Sequence, residues 1–250
     1  MNDDADSSRV ADIASALDSV RARLAAACVA AGRPTADVKL LPVTKYFPAS
    51  DARILYDLGC REFGESREQE AITKVAEFDA VTRTDSAELV RWHMIGQLQR
   101  NKARSVAKWA YAIHSVDSPR LAAALDRGAL GALDDNDRTS PLRVLIQVSL
   151  DGDPSRGGVT LEELAPLADK IETAEGLDFA GLMAVPPLGT DPDEQFSILH
   201  DAHRALLESH PKAIELSAGM TGDLEAAVRH GSTCVRVGTA LLGSRPVTSK

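Results

Sequence analysis

Eight short apolar runs, each separated from the next by a segment of helical periodicity, constrain this chain more than any other feature. The runs are Lys39–Thr44, Glu62–Gly64, Trp92–Gly96, Tyr111–Val116, Arg143–Leu150, Phe179–Val185, Ile214–Ser217 and Cys234–Val237. Continuous rather than alternating apolar runs mark strands buried on both faces, the condition of a parallel sheet covered by helices. Between them the apolar spacing predicts helices over Ser50–Leu58, Arg67–Val75, Leu98–Trp109, Pro119–Ala129, Leu161–Thr173, Asp193–Ser209 and Gly222–Arg229, with a short piece after Thr239. Eight such units favour an α/β fold closed into a single (β/α)8 TIM barrel over an open sheet, and 250 residues is the length of one barrel. A further helix over Val10–Ala31, ended by Gly32-Arg33-Pro34, is expected to cover one end or side.

No linker divides the chain. The expected organisation is a flexible lead over residues 1–9, the barrel over 10–245 and a tail over 246–250, with a polar insertion at Gly131–Pro141 and a glycine-rich loop at Asp151–Gly158. A net charge of −9 argues against a nucleic-acid surface, which needs clustered Lys and Arg. The chain starts acidic where a secretory signal would be basic and has no apolar run of membrane length, so a cytoplasmic protein is expected. Cys28, Cys60 and Cys234 form no C-x-x-C pair and read as small buried hydrophobes. His200 and His203, three apart on a helix, lack an acidic or cysteine partner at ligand spacing and read as part of a solvated helix face, with no metal expected.

Function in a parallel barrel gathers at the C-terminal ends of the strands. Lys45 closes the first run, while Thr221 and Thr239 follow the seventh and eighth, which closure brings beside the first. Hydroxyls at Ser217, Thr221 and Thr239, with glycines at Gly219 and Gly238, offer a phosphate cradle of hydroxyl and backbone N–H groups. Lys45 alone reads better as a surface ion-pair lysine. A cradle opposite that lysine reverses the balance and suggests a pyridoxal 5′-phosphate (PLP) site, with the Lys45 amine adding to the cofactor aldehyde as an aldimine. Arg236, between Val235 and Val237, points either into the barrel mouth or towards the helices. In the mouth it would hold the cofactor's pyridine nitrogen unprotonated and weaken the ring as an electron sink; the alternative is an ion pair with Asp223 or Glu225.

The blocks Val43-Thr44-Lys45, Phe63-Gly64-Glu65-Ser66, His93–Lys102, Gly181-Leu182-Met183-Ala184, Leu216–Asp223 and Val235–Thr239 resemble the pyridoxal phosphate homeostasis (YggS/PROSC) family over about Val10 to Gly243. The resemblance implies the barrel of the alanine racemase N-terminal domain without that enzyme's second domain. It also implies a PLP-binding protein of intracellular cofactor homeostasis without established turnover, as a monomer or weak homodimer, with apo forms of PLP-dependent enzymes as partners. By matching position, Lys45 carries the aldimine, Ser217, Thr221, Gly238 and Thr239 hold the phosphate with Gly219, Arg236 faces the ring nitrogen, and Met183 and Met220 line the pocket.

Ser66 stands where the family usually has Asn, and Thr221 where it has Ser. Arg156 stands near a family lysine and cannot form or exchange an aldimine. In the His93–Lys102 block, local capping by Gln97 and Asn101 with a solvated Lys102 is weighed against a second cofactor contact or a docking surface, and His114 reads as a satisfied core histidine. Two enzymatic alternatives stay open. A racemase needs a second proton carrier opposite the lysine, and of the three tyrosines Tyr46 is expected to point away from Lys45, with Tyr56 on a helix and Tyr111 on an early strand. A lysine-dependent aldolase usually carries its lysine on a later strand.

Overall fold

The computed structural model describes residues 3–82, 90–153 and 156–245. Eight parallel strands are present: β1 (Lys39–Pro42), β2 (Glu62–Glu65), β3 (Arg91–Met94), β4 (Ala112–Val116), β5 (Leu142–Gln147), β6 (Leu177–Met183), β7 (Glu215–Ser217) and β8 (Cys234–Val237). They are hydrogen-bonded in the order β1-β8-β7-β6-β5-β4-β3-β2. The seam between β1 and β2 is narrowed by a parallel bridge from Val43 to Gly64, where the Thr44 N–H donates to the Gly64 carbonyl at 3.0 Å. The result is a nearly closed TIM barrel.

The helices among the described residues are α1 (Asp3–Ala30), α2 (Ala49–Asp57), α3 (Glu68–Thr82), α4 (Ala103–Trp109), α5 (Pro119–Asp134), α6 (Leu161–Glu172), α7 (Pro192–Ser209), α8 (Leu224–Arg229) and α9 (Thr239–Leu242). Local chemistry starts three of them. Ser118 accepts from the Leu121 N–H ahead of Pro119, Thr160 and Glu163 form a reciprocal capping box, and Asp191 accepts from the Asp193 N–H ahead of Pro192.

Several expected boundaries shift. The segment 1–9 is helical from Asp3 onwards, and Arg9 is tied to Asp51 on α2 and to the Leu242 carbonyl, so α1 starts before Val10. α5 continues to Asp134, into the expected insertion, because Ala129 and Ala132 extend its buried face. Leu98–Trp109 splits into a 3-10 turn at Arg100–Lys102 followed by α4. The tail expected over 246–250 lies outside the described residues.

α1 buries Ile13, Leu17, Val20 and Leu24 while Val10 and Val29 stay exposed, and it packs along α2, α8 and α9, where the first and last units of the barrel meet. One core cluster joins α1–α3 to β1, β8 and α8, including Phe63, Phe78 and Trp92 in mutual ring contact. The other lies between β3–β7 and α4–α7. Among the described residues, the barrel's own interior holds a small apolar cluster, Leu145, Ala180 and Met183, with Leu41 in register beside Arg236, together with buried polar groups.

Candidate functional site

The ends of β1 and β8 pair Pro42 with Val237, so Lys45 and the Gly238-Thr239 turn leave neighbouring strands at one end of the barrel. The last turn of β7 joins them: the Arg236 N–H donates to the Gly219 carbonyl at 2.9 Å. Gly219 has a φ of +91°, and a Cβ there would lie 2.5 Å from the Ala227 Cβ, so only glycine lets this turn pass over α8. At Gly238 a Cβ would approach the Val43 carbonyl to 3.2 Å. Three strand ends therefore converge, as closure requires.

Lys45 is half-buried. The backbone behind it is held by a buried cluster in which Lys74 of α3 donates to the Thr44 carbonyl at 2.7 Å and pairs with Glu65, and the Thr44 hydroxyl donates to Glu65 Oε1 at 2.6 Å. Burial pushes the Glu65 carboxyl above its ordinary value, against the opposing pull of Lys74. Lys74 did not stand out in the sequence, because a lysine on a helix ordinarily reads as solvated.

Tyr46 corrects an expectation. Its φ is +70°, so the chain leaves the extended conformation directly after Lys45, and the Tyr46 ring centroid lies 5.7 Å from Lys45 Nζ, flanked by Arg67 and Arg245. The ring adjoins the amine instead of pointing away from it. Tyr56 packs on Phe78 and Arg61, and Tyr111 stacks near His93 and under Arg91.

Arg236 faces the barrel interior and is 4% exposed. Nη1 donates to Ser217 Oγ at 2.7 Å and Nη2 to the Ala184 carbonyl at 2.9 Å. Asp223 and Glu225 are engaged elsewhere, the first with the Met220 N–H and the second with Arg23. Among the described residues no carboxylate forms an ion pair with Arg236, and burial lowers its pKa from the ordinary arginine value. A buried guanidinium with only neutral partners at the end of a barrel strand is the chemistry of a site that receives an acceptor from outside the chain.

Ser217 is fully buried, and its hydroxyl meets Arg236 and, at 2.9 Å, His114 Nδ1. It lies beneath the rim where Thr221 is half-buried, Thr239 is exposed and Met220 is 38% exposed. Met183 is buried inside the barrel, and Ser66 is half-buried at the end of β2, on a cavity of about 450 Å³ shared with Gln97 and Lys102.

His114 continues inward: its Nε2 lies 2.9 Å from His93 Nδ1, and His93 Nε2 lies 3.0 Å from Glu62 Oε2. Burial lowers the pKa of both rings, His114 well below the ordinary value. Burial alone would raise the Glu62 carboxyl, but hydrogen bonds from His93 and Lys39 outweigh it and bring it to about 2. In the rest of the His93–Lys102 block, neither Gln97 nor Asn101 caps a helix, and Lys102 pairs with Glu68 at 3.2 Å, so the expected local capping is not what organises it. Arg156 binds Asp151 and the carbonyls of Val185 and Pro186, tying two rim loops together. His200 and His203 turn to separate carbonyls, those of His230 and Ala213.

Comparison with known proteins now decides the family. The family model described as "Alanine racemase, N-terminal domain" matches residues 16–246. A pyridoxal phosphate homeostasis protein of Mycobacterium bovis is 53% identical over 249 residues, covering 96% of each chain. This chain belongs to the pyridoxal phosphate homeostasis protein family. Another member, from Escherichia coli, is 36% identical over 96% of this chain and 99% of its own. In the same family framework, the structure of PipY from Synechococcus elongatus with PLP bound superposes with a TM-score of 0.77 at 35% identity, covering 92% of this chain and 100% of that one. Alanine racemase from Corynebacterium glutamicum shares the fold, with a TM-score of 0.64 at 18% identity, and this chain covers 94% of itself and 62% of that enzyme.

Proposed function

We propose that this chain binds pyridoxal 5′-phosphate at the barrel mouth and keeps it available to other proteins without turning over a substrate. The observation that carries the reading is Arg236, a buried cation at the mouth whose partners are neutral; the PLP-bound PipY relative supports it. Lys45 supplies the amine for the cofactor's aldehyde, and Thr221, Gly219, Gly238 and Thr239 offer hydroxyl and N–H groups to the phosphate. Arg236 faces the ring nitrogen, while Ser66, Met183 and Met220 bound the pocket. Ser217 serves the site through Arg236, since its hydroxyl is already committed to that residue and to His114. Bound PLP supplies an electron-withdrawing ring, and a permanent cation at its nitrogen weakens that ring as a carbanion sink.

A racemase reading requires a proton carrier across the cofactor from the lysine. Tyr46 adjoins the lysine amine itself, and Tyr56 and Tyr111 are committed to other packing. The carrier reading is therefore preferred.

The test is reconstitution of purified protein with PLP, followed by its visible spectrum. A bound-cofactor band absent from Lys45→Ala, transfer of cofactor to an apo-enzyme, and no interconversion of D- and L-alanine are expected. A protein that remains colourless in excess cofactor overturns the proposal.

A further inference from the structure

Five side chains cross the barrel from the N-terminal end of its strands to its mouth, and each terminal group can play only one hydrogen-bonding role. At the N-terminal end Glu62 is a carboxylate held by Lys39 at 2.7 Å and Arg91 at 3.2 Å, so it accepts. At the mouth Arg236 has no acceptor atom, so it donates. Between them His93, His114 and Ser217 each touch two partners.

The ends dictate the middle. Arg236 donates to Ser217 Oγ, which leaves the serine proton for His114 Nδ1. An accepting Nδ1 places the His114 proton on Nε2, aimed at His93 Nδ1, and the His93 proton then lies on Nε2, aimed at Glu62. Working back from Glu62 gives the same assignment for two neutral rings. An imidazolium at His93 would force His114 to donate to Ser217, making that oxygen a double acceptor and leaving its own proton without a role. The surroundings oppose such a charge: Lys39 on β1, Arg91 on β3, Arg143 on β5 and Arg236 on β8 are cations, against Glu62 on β2, Asp178 on β6 and Glu215 on β7, and burial pushes the Cys234 thiol up to about 11.

We infer that Glu62, His93, His114 and Ser217 form a one-directional hydrogen-bond chain that orients the Arg236 guanidinium at the mouth, making them positioning residues of the cofactor site. This rests on the function proposed above. The chain orients and does not conduct, because its mouth end is a guanidinium that keeps its protons. Each bond polarises the next, so the Glu62 charge makes Ser217 a stronger acceptor for a cation that has no carboxylate of its own.

Two measurements on the full chain test it. The first needs no cofactor: in protein labelled with ¹⁵N-histidine, His93 and His114 should show a protonated Nε2 and a bare Nδ1 at neutral pH. An Nδ1–H tautomer or an imidazolium at either ring there overturns the chain. The second compares PLP binding by wild type, His114→Leu and His114→Gln. Leucine removes both contacts, whereas glutamine can accept from Ser217 and donate to His93. About tenfold weaker binding in His114→Leu, a shifted pH profile of the bound cofactor's absorption, and recovery in His114→Gln are expected. Wild type that takes up no PLP overturns the functional reading. Wild type that takes it up while His114→Leu binds it unchanged overturns the positioning role alone.

Discussion

His114 on β4 and Ser217 on β7 meet at 2.9 Å although β5 and β6 lie between their strands, so their bond passes through the barrel rather than along its wall. Most barrels of this kind fill that space with branched aliphatic side chains. Here much of it holds polar groups that complete one another.

Acid should weaken this arrangement in two windows. Both ring pKa values are depressed in the folded state, so below the unfolded value of 6.5 the unfolded chain binds protons that the folded chain does not, and stability falls as pH drops from there. Glu62 has a folded pKa of about 2 against 4.5, so its contribution is complete above 4.5 and is lost as pH falls towards 2. Urea unfolding of wild type between pH 7 and 3 should show both slopes. Glu62→Gln should make the lower one shallower, the remainder coming from Asp151, Asp193 and Glu225, whose carboxyls are also held below their ordinary values, and an unchanged lower slope in that variant would contradict the assignment.

Arg236→Leu separates stability from binding. Removing a buried cation without a carboxylate partner should leave the apo-protein's melting temperature unchanged or higher, while PLP affinity falls at least about tenfold. Calorimetry and a cofactor titration check the two halves. A large loss of stability would mean that the guanidinium serves the fold.

The Lys74–Glu65 pair behind Lys45 is buried on both sides. Lys74→Met leaves the buried Glu65 carboxylate without its cation, with only the Thr44 hydroxyl still donating to it, and should cost about 3–5 kcal/mol, whereas Lys74→Met combined with Glu65→Leu should regain much of it. Denaturant titration of the three proteins gives the comparison, and equal losses in the single and double variants would refute the coupling.

Gly219→Ala places a Cβ into Ala227 at a backbone conformation that side chains disfavour. A loss on the order of 2–4 kcal/mol is expected. Adding Ala227→Gly should relieve the clash but not the φ of +91°, so partial recovery is the predicted result.

Strand number and parallel sense were legible because a strand buried on both faces writes a continuous apolar run. β8 matches its expected span, and the others shift by a few residues at their ends. Lys45 and the glycines of the last two units were legible because a strand end followed by a helix start is a local pattern. Tyr46 was misread, since nothing in its immediate neighbours announces a left-handed residue. His93 was overlooked as a partner for His114 because a histidine on a strand shows neither which face it occupies nor what waits across the barrel. The buried Lys74 was hidden for a similar reason: its partners come from β2 and the end of β1.

By itself the sequence determined the alternation of strands and helices, the barrel that eight such units favour, and the residue types available at each strand end. These follow from periodicity and backbone preference, which act over a few residues. Only the tertiary structure decided that Arg236 turns inward, that it donates to Ser217, and that a chain of contacts leads back to Glu62. Those choices depend on closure of a curved sheet, which brings His114 to Ser217 across 103 positions of sequence, and no local preference encodes a meeting at that range.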